Sequence, residues 1–326
     1  MPYVFDTVQV LYDADKTRWR FILCGSSARK LRKAGTNLLP GRCLMHRMFP
    51  LVLTERPPPV SLDRSGIGPL IELTGGNKLT SHFPAADIEE RLAYGELPGI
   101  VLLDEQDRGP ILRSFTTAHL EEEIRKEALV ADWGAFVGFL RHAAAESGRM
   151  INFAAISQQV GLSQPTVKSY YQLLEDMFIG FRVPAFTRNP RKNILSTPRF
   201  FFVDVGLCQA ARGITPGRDI VRSDPGRFFE QWVIAELWKR LQYIGEGQLH
   251  YFCTKDGAEI DAIVESGDRI VPIEIKWTDR PCRKDARHLR RFMAETANAE
   301  QGYVVCRCPH PQKIADGVTA LPWQCL

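Results

Sequence analysis

The sequence predicts an α/β protein made of more than one domain. Its 326 residues exceed the length of one domain of about 100–200 residues, and 44% of them are hydrophobic, so two or three cores can form. Apolar residues recur at helical spacing over 118–145, 153–177 and 227–241, and three strand-like runs follow between 249 and 277. Glycine- and proline-rich breaks near 57–59, 95–99 and 213–226 mark candidate boundaries.

Composition excludes several classes of protein. Charged residues make up 25% of the chain, which is typical of folded proteins rather than disordered ones. The 42 Lys and Arg against 38 Asp and Glu leave a net charge of +4, which permits a nucleic-acid partner without requiring one. No apolar run is long enough for a membrane helix, and residues 1–10 do not resemble a secretory signal. We therefore expect a cytoplasmic protein with no membrane partner. No small-molecule substrate is inferred from the sequence.

The eight cysteines form no regular framework, so most are expected to be free thiols. Cys306, Cys308 and His310 form the one local cluster of metal-binding residue types. Zinc sites more often have two residues between paired ligands, and they need four ligands. The cluster is therefore interpreted as the end of a strand with two small apolar side chains.

The first part of the chain predicts one strand and a helical region. Residues 19–24 (Trp-Arg-Phe-Ile-Leu-Cys) have the composition of a buried strand, which Gly25 would end before a helix beginning at Ala28. From 118 to 145 the apolar residues recur at helical spacing, which predicts one or two helices.

Residues 153–177 have the pattern of a helix-turn-helix. A helix is predicted over 153–160, a tight turn over 161–163 and a second helix over 164–177 with Ser163 as its N-cap. The core face of the second helix would consist of Val167, Tyr170, Tyr171, Leu173 and Leu174.

Residues around the helix-turn-helix suggest a winged helix that binds DNA. Strands are predicted over 179–183 and 199–203, with a basic segment between them. The candidate DNA-binding residues lie at the start of the second helix and in that segment: Gln164, Thr166, Lys168, Arg188, Arg191 and Lys192. Such units also serve as plain packing modules, and this alternative stays open.

The predicted helix over 227–241 is largely apolar but contains Glu230 and Glu236. A carboxylate within an apolar stripe is costly unless it is paired or binds a metal ion. The alternative is a helix near the surface that exposes both glutamates.

Three strands are predicted next, over 249–253, 259–264 and 269–277. Because residues two apart point the same way, Glu274 and Lys276 would share a face while Ile275 points to the core. If Asp261 lies beside them on the neighbouring strand, two acids and a lysine converge. Two carboxylates suit Mg²⁺, and a lysine can orient a metal-bound water or stabilise negative charge, so the set suits metal-dependent phosphodiester hydrolysis. A surface acid–base cluster is the alternative.

A helix acid followed by Asp and then Glu-x-Lys resembles the PD-(D/E)xK nuclease fold of restriction endonucleases and Holliday-junction resolvases. The resemblance implies that Asp261 and Glu274 are metal ligands and that Lys276 orients the water. Glu230 would be the helix acid and a third ligand, with Glu236 as the alternate. Ile260 stands where the motif has proline.

A wider resemblance is to a prokaryotic family of AAA-type ATPases with a winged-helix region and a C-terminal nuclease-like domain of unknown function. Five stretches carry it: 21–27 (sensor strand), 39–42 (Leu-Pro-Gly-Arg), 49–55 (Phe-Pro-Leu…Glu), 94–99 (lid motif, Tyr-Gly-Glu-Leu-Pro-Gly) and 201–207 (Phe-Phe-Val-Asp-Val-Gly-Leu). The implied domains are a partial AAA-type core over 1–82, a helical lid over 83–145, a winged helix over 146–212 and a restriction-endonuclease-like α/β domain over 213–326.

The chain lacks the P-loop that this family carries upstream of the sensor strand. Without its backbone amides and lysine, nucleotide affinity should collapse, so ATP is not an expected cofactor. Ser26 (sensor) and Arg42 (arginine finger) would be vestigial unless another chain supplies the nucleotide. Residues 100–105 imitate a Walker B strand, but they follow the lid motif and are not expected to bind Mg-nucleotide.

Three functions follow for what resembles a truncated AAA-family protein. The first is a DNA-directed nuclease that uses Mg²⁺ at Glu230, Asp261, Glu274 and Lys276. The second is a module that binds DNA or a protein without catalysis. The third is an ATPase, if the missing P-loop is supplied elsewhere. A homo-oligomer or a partner chain is compatible with each.

Overall fold

In a computed structural model the chain is a mixed α/β protein, which confirms the predicted class. A six-stranded sheet lies in its C-terminal part, and a large apolar core forms between that sheet and the helices preceding it. No helix within the described ranges is long and apolar enough to cross a membrane. The structure describes residues 2–24, 43–44, 46–60, 62, 82–119, 122, 124, 130, 132–187, 197–254 and 257–326.

The chain begins with helix α1 (Pro2–Ala14). The strand predicted over 19–24 is wrong, because these residues form no regular structure and are largely exposed, Ile22 to 91%. Their apolar composition favours a strand only if a neighbouring strand completes the hydrogen bonds, and no described strand pairs with them.

A group of helices follows residues 46–60: α2 (Ile88–Tyr94), α3 (Pro98–Val101), α4 (Glu105–Ser114), a π-helical turn (Phe115–His119) and α5 (Trp133–Ala145). Asp87 and Asp132 cap α2 and α5, since their carboxylates accept hydrogen bonds from the backbone of Glu90 and Ala135. The Walker B imitation over 100–105 is not a strand. It covers the end of α3 and the start of α4.

The predicted helix-turn-helix is present as α6 (Phe153–Val160) and α7 (Gln164–Asp176). Gly161 adopts a left-handed conformation at the end of α6, and the hydroxyl of Ser163 caps α7 by accepting from the backbone N–H of Thr166 at 3.3 Å. All five residues predicted for the core face of α7 are buried. Strands β1 (Gly180–Val183) and β2 (Arg199–Phe202) then pair antiparallel.

The C-terminal part contains three helices before its sheet: α8 (Val205–Ala211), α9 (Arg218–Ser223) and the long α10 (Pro225–Ile244). The remaining elements are β3 (Gln248–Cys253), β4 (Glu259–Ser266), β5 (Arg269–Ile275), α11 (Arg287–Glu295), β6 (Gly302–Cys306), β7 (Gln312–Ala315) and β8 (Val318–Pro322).

The sheet has the order β3-β4-β5-β6-β8-β7. The first three strands form an antiparallel meander, whereas β5, β6 and β8 run parallel and β7 returns antiparallel at the edge. The parallel step from β5 to β6 is made through α11, as a crossover connection requires. Leu289 and Phe292 of α11 form a separate apolar core with residues of β4 and β6.

The segment after β1 also joins the larger sheet. Ala185 forms a parallel bridge with Tyr251 of β3, with backbone hydrogen bonds from Phe186 to Tyr251 (2.6 Å) and from Tyr251 to Pro184 (3.0 Å). The hydroxyl of Tyr251 donates to the carbonyl of Thr197 at 2.7 Å. The two-stranded unit is therefore bound directly to the edge of the sheet.

Glu96, which lies in the stretch 94–99, is the centre of a buried ion cluster. Arg91 donates to its Oε1 at 2.6 Å, and Arg56 donates to its Oε2 at 3.2 Å. Trp232 of α10 donates to Oε1 at 3.4 Å. All four side chains are buried. Because an unpaired charge in a core costs several kcal/mol, these contacts fix the positions of the segments that carry them.

Asp204, in the stretch 201–207, also holds the segment around Glu96 in place. Its two carboxylate oxygens accept from the backbone N–H groups of Glu96 at 2.6 Å and of Leu207 at 2.8 Å. Gly95 has φ +74°, and a Cβ there would lie 2.1 Å from Oδ1 of Asp204. Two stretches more than 100 residues apart are thus packed together so closely that one of them requires glycine.

We expect Gly95→Ala to destabilise the protein by about 3 kcal/mol, because it combines backbone strain with a clash against Asp204. Gly161→Ala is the control: φ is +68° there, but a Cβ would meet nothing within 4 Å, so about 1 kcal/mol is expected. Urea unfolding of both variants and the parent measures the difference. An equal cost at the two positions would contradict the packing described here.

Candidate functional site

Three elements of the C-terminal part bring together the residues that sequence analysis selected. Glu230 lies in the second turn of α10, Asp261 on β4, Glu274 on β5 and Lys276 just after β5. Asp224 caps α10 by accepting from Arg227, and the buried aromatic residues Phe229 and Trp232 fix the helix in the large core. Glu230 stays partly open to water, with 32% of its side chain exposed.

The pairing of β4 with β5 positions Asp261 beside Glu274. The last registered pair is Ala262 with Ile273, and Asp261 and Glu274 come one step further along each strand. The pairing of β3 with β4 shifts register in this region. Oδ2 of Asp261 accepts a hydrogen bond from the backbone N–H of Ile275 at 2.7 Å, which holds the carboxylate at the end of β5.

Lys276 contacts Glu274 directly, with 2.6 Å between Nζ and Oε1. Ile275 between them packs in the large core, as the alternation of a strand predicts. The other oxygen of Glu274, Oε2, is buried without a hydrogen-bond partner among the described residues. An acceptor left in this state is costly, which marks the carboxylate as a group suited to a further ligand.

All three carboxyl groups have a raised pKa. Burial is the first cause in each case. The negative charge of Asp261 adds to it and brings the pKa of Glu230 to about 8 and that of Glu274 to about 7. Lys276 has a raised pKa, because its contact with the acids outweighs its own burial. The negative charge that the carboxyl groups of the cluster would carry therefore exceeds the positive charge of the neighbouring cations.

Arg199 belongs to the site, although sequence analysis did not select it. It lies on β2, is buried, forms a hydrogen-bonded ion pair with Glu259, and has Nη1 3.6 Å from Oε1 of Glu230. Its guanidinium also lies over the ring of Tyr251 at 4.4 Å. The signal that could have indicated it is an arginine at the start of a fully apolar strand, which requires an acidic partner.

Glu236 does not belong to the site, so its assignment as the alternate helix acid is wrong. It is fully buried, with Oε1 2.7 Å from Nε of Arg240 and Oε2 3.4 Å from Nζ of Lys239. It also accepts from the backbone N–H of Leu53 at 2.7 Å, while Lys239 donates to the carbonyl of Leu51 at 2.6 Å. Two cations offset its charge and its Oε1 is hydrogen-bonded, although Oε2 has no hydrogen-bond partner among the described residues. Its role is to attach residues 51–53 to α10. The alternative of a helix that exposes both glutamates is also wrong.

The described DNA-binding candidates lie at the surface of the helix-turn-helix. Gln164 and Lys168 are exposed, and Thr166 is half-buried with its hydroxyl 2.8 Å from that of Ser163. Nζ of Lys168 lies 5.3 Å from the centre of the Phe153 ring. Five other candidates lie outside the described residues: Arg188, Arg191, Lys192, Ser26 and Arg42.

No group of three or more His, Cys, Asp or Glu side chains in the described ranges is arranged to hold a metal ion. Cys306 and Cys308 are buried at the end of β6 and just beyond it, and His310 is exposed, which fits the interpretation as a strand end. In the acidic site, Arg199 and Lys276 stand beside the carboxylates that would act as ligands.

The raised pKa of Glu230 predicts a stability that falls as pH rises. Between about pH 5 and pH 8 the folded protein binds more protons here than the unfolded chain, so ionisation favours unfolding. We expect Glu230→Gln to reduce the loss of unfolding free energy between pH 5 and pH 8 by on the order of 1 kcal/mol, measured by urea denaturation. Glu246→Gln, at an exposed position beyond α10, is the control. An unchanged pH dependence in Glu230→Gln would contradict the prediction.

Comparison with known proteins gives two matches to domains of unknown function. Residues 85–218 match Domain of unknown function (DUF8612), and residues 225–326 match Domain of unknown function (DUF4143). The second of these is commonly found in proteins associated with AAA-type ATPases.

Curated relatives are also of unknown function. An uncharacterized protein of Haemophilus influenzae is 24% identical over 84% of this chain and 62% of its own length. An uncharacterized protein of Mycobacterium tuberculosis is 22% identical over 99% of this chain and 66% of its own length. The chain thus spans slightly less than two thirds of these relatives. No solved structure matches it. The chain is similar, in its two parts, to two domain types whose functions are not established.

Proposed function

We propose that the C-terminal part is a metal-dependent nuclease-like unit that hydrolyses phosphodiester bonds of DNA. The observation that carries the proposal is the convergence of Glu230, Asp261 and Glu274 with Lys276. The order of elements supports it: α10 precedes a three-stranded meander, α11 and a parallel strand, and the acidic residues of the meander lie where β4 begins and β5 ends. The relationship to AAA-type ATPases rests on the sequence stretches named above.

The acidic residues are of the type that binds a divalent cation. All three carboxyl groups have raised pKa values, the charge of Asp261 acts on both Glu230 and Glu274, and Oε2 of Glu274 is buried without a hydrogen-bond partner among the described residues. Oxygen ligands of this kind are those that Mg²⁺ and Mn²⁺ take. When bound, the ion would supply charge neutralisation and a bound water of lowered pKa.

The side chains of the site would have different roles. Asp261 and Glu274 would hold the ion, and the hydrogen bond from Ile275 keeps Asp261 oriented. Glu230 would complete the acidic set from α10. Lys276, charged and attached to Glu274, would orient the water and stabilise negative charge that develops on the phosphate. Arg199 would limit the repulsion between Glu230 and Glu259.

We expect the parent chain to bind Mg²⁺ or Mn²⁺ in calorimetry and Asp261→Asn to abolish detectable binding. Glu300→Gln removes an equal charge at an exposed position and should bind as the parent does. Lys276→Ala should retain metal binding but lose at least about 100-fold in cleavage of DNA, because it stabilises charge rather than holding the ion. No binding by the parent, or equal binding by Asp261→Asn, would sink the proposal.

A second candidate is a module that binds DNA without cutting it. The observation that favours it is the capped α7, which presents Gln164 and Lys168 at the surface of a helix-turn-helix. In this case cleavage would be absent with every metal ion while DNA binding persists. ATP hydrolysis is a third candidate, and it depends on a P-loop supplied elsewhere.

If α7 contacts phosphate groups, Lys168→Ala should weaken DNA binding and make the salt dependence of log affinity shallower by about 0.9. Fluorescence anisotropy of a labelled duplex at several salt concentrations measures both quantities. Lys313→Ala, exposed on β7, is the control. An unchanged slope in Lys168→Ala would remove α7 from the DNA interface.

A further inference from the structure

The segment from Lys276 to Arg291 concentrates positive charge beside the acidic site. It contains seven Lys and Arg against two Asp, a net charge of +5, whereas the entire chain carries +4. The net positive charge of the protein is therefore due to these 16 residues. Five exposed side chains form what we name the basic face: Arg280, Arg283, Lys284, Arg287 and Arg290.

The side chains of the basic face have no ion-pair partner among the described residues, in contrast to the arginines of the interior. Arg56 and Arg91 pair with Glu96, and Arg199 pairs with Glu259. Clustered cations at a surface repel each other and raise the local potential. Such an arrangement is stabilised by an anionic partner that lies across several of them.

The basic face is fixed in place by the opposite side of α11. Leu289 and Phe292 are buried in the apolar core between α11 and the sheet, so Arg287 and Arg290 are held at the surface. Membrane-surface helices insert their apolar face into lipid, and here that face is already occupied by the protein core. A nucleic acid, which binds through charge at the surface, is therefore the favoured partner.

The connection between β5 and α11 places the basic face next to the acidic site. Lys276 lies at its start, in contact with Glu274 at 2.6 Å and four residues before Arg280 of the basic face. The connection is attached to β6 by backbone hydrogen bonds, from Lys276 to Val305 at 2.9 Å and from Arg307 to Thr278 at 2.8 Å. A polyanion along the basic face would thus pass beside the carboxylates.

We propose that the basic face binds the phosphodiester backbone of a nucleic acid and delivers it to the acidic site. The delivery of the backbone to the acidic site rests on the proposed function. The binding itself can be measured without a metal ion and without cleavage. Each cation that contacts a phosphate releases counterions, so affinity falls steeply with salt, by about 0.9 in log affinity per log salt for each contact.

The experiment compares two double charge reversals of the full chain. Arg283→Glu with Arg287→Glu alters the basic face, and Arg222→Glu with Lys313→Glu makes the same change in net charge at exposed positions elsewhere. Anisotropy is measured in EDTA with labelled duplex DNA, single-stranded DNA and duplex RNA, and vesicles containing phosphatidylserine form a separate arm. Thermal unfolding checks that each variant is folded.

We expect the basic-face double variant to lose at least tenfold in affinity at about 100 mM salt and to show a slope shallower by about two, while the control loses less than threefold. The affinities for duplex DNA, single-stranded DNA and duplex RNA show which nucleic acid the basic face binds. Equal losses in both variants, parent-like binding by the basic-face variant, no nucleic-acid binding by the parent, or binding to vesicles alone would overturn the inference. Loss of metal binding by Asp261→Asn tests the proposed function, whereas loss of nucleic-acid affinity by the basic-face variant in EDTA tests the basic face, so failure of the one and failure of the other give different results.

Discussion

The buried pairing of Glu96 with Arg56 and Arg91 is the interaction on which the arrangement of the chain depends. It joins the segment around residue 56 to α2, and the hydrogen bond from Trp232 extends it to α10. Charges that are removed from water must keep their partners, so the geometry cannot relax without a large cost. This contact of Trp232, two residues beyond Glu230, helps to fix α10 and therefore the position of Glu230.

The two glutamates of α10 show how surroundings decide the role of a side chain. Glu236 is fully buried, yet two cations offset its charge and a backbone N–H donates to its Oε1, and its pKa is lowered by Arg240 and Lys239 despite its burial. Glu230 is less buried but lies near Asp261 and has a raised pKa. The first glutamate is a structural anchor. The second, whose ionisation is disfavoured, retains the capacity to bind a cation.

The short-range sequence pattern predicted the helices and strands of the fold better than it predicted the contacts between them. The helix-turn-helix, with Ser163 as its cap, and the three strands β3, β4 and β5 follow from short-range periodicity, and all of them are present. Asp261 and Glu274 lie on β4 and β5, whereas Lys276 lies just after β5, which ends two residues earlier than predicted. The attachment of Glu236 to Leu53 and the pairing of Arg199 with Glu230 and Glu259 depend on residues more than 30 positions away, which periodicity does not encode. The strand expected over 19–24 failed for a related reason, since a strand needs a partner that composition does not reveal.

The link from residues 184–186 to Tyr251 has a consequence for the behaviour of the protein at high concentration. The outer strand of a sheet presents unpaired backbone groups on which another chain can add itself, and this is a common start of aggregation. Here the middle of the β3 edge is already paired with Ala185, and the opposite edge is the four-residue β7 with an exposed lysine at Lys313. Both borders of the sheet are thereby made poor templates for self-association.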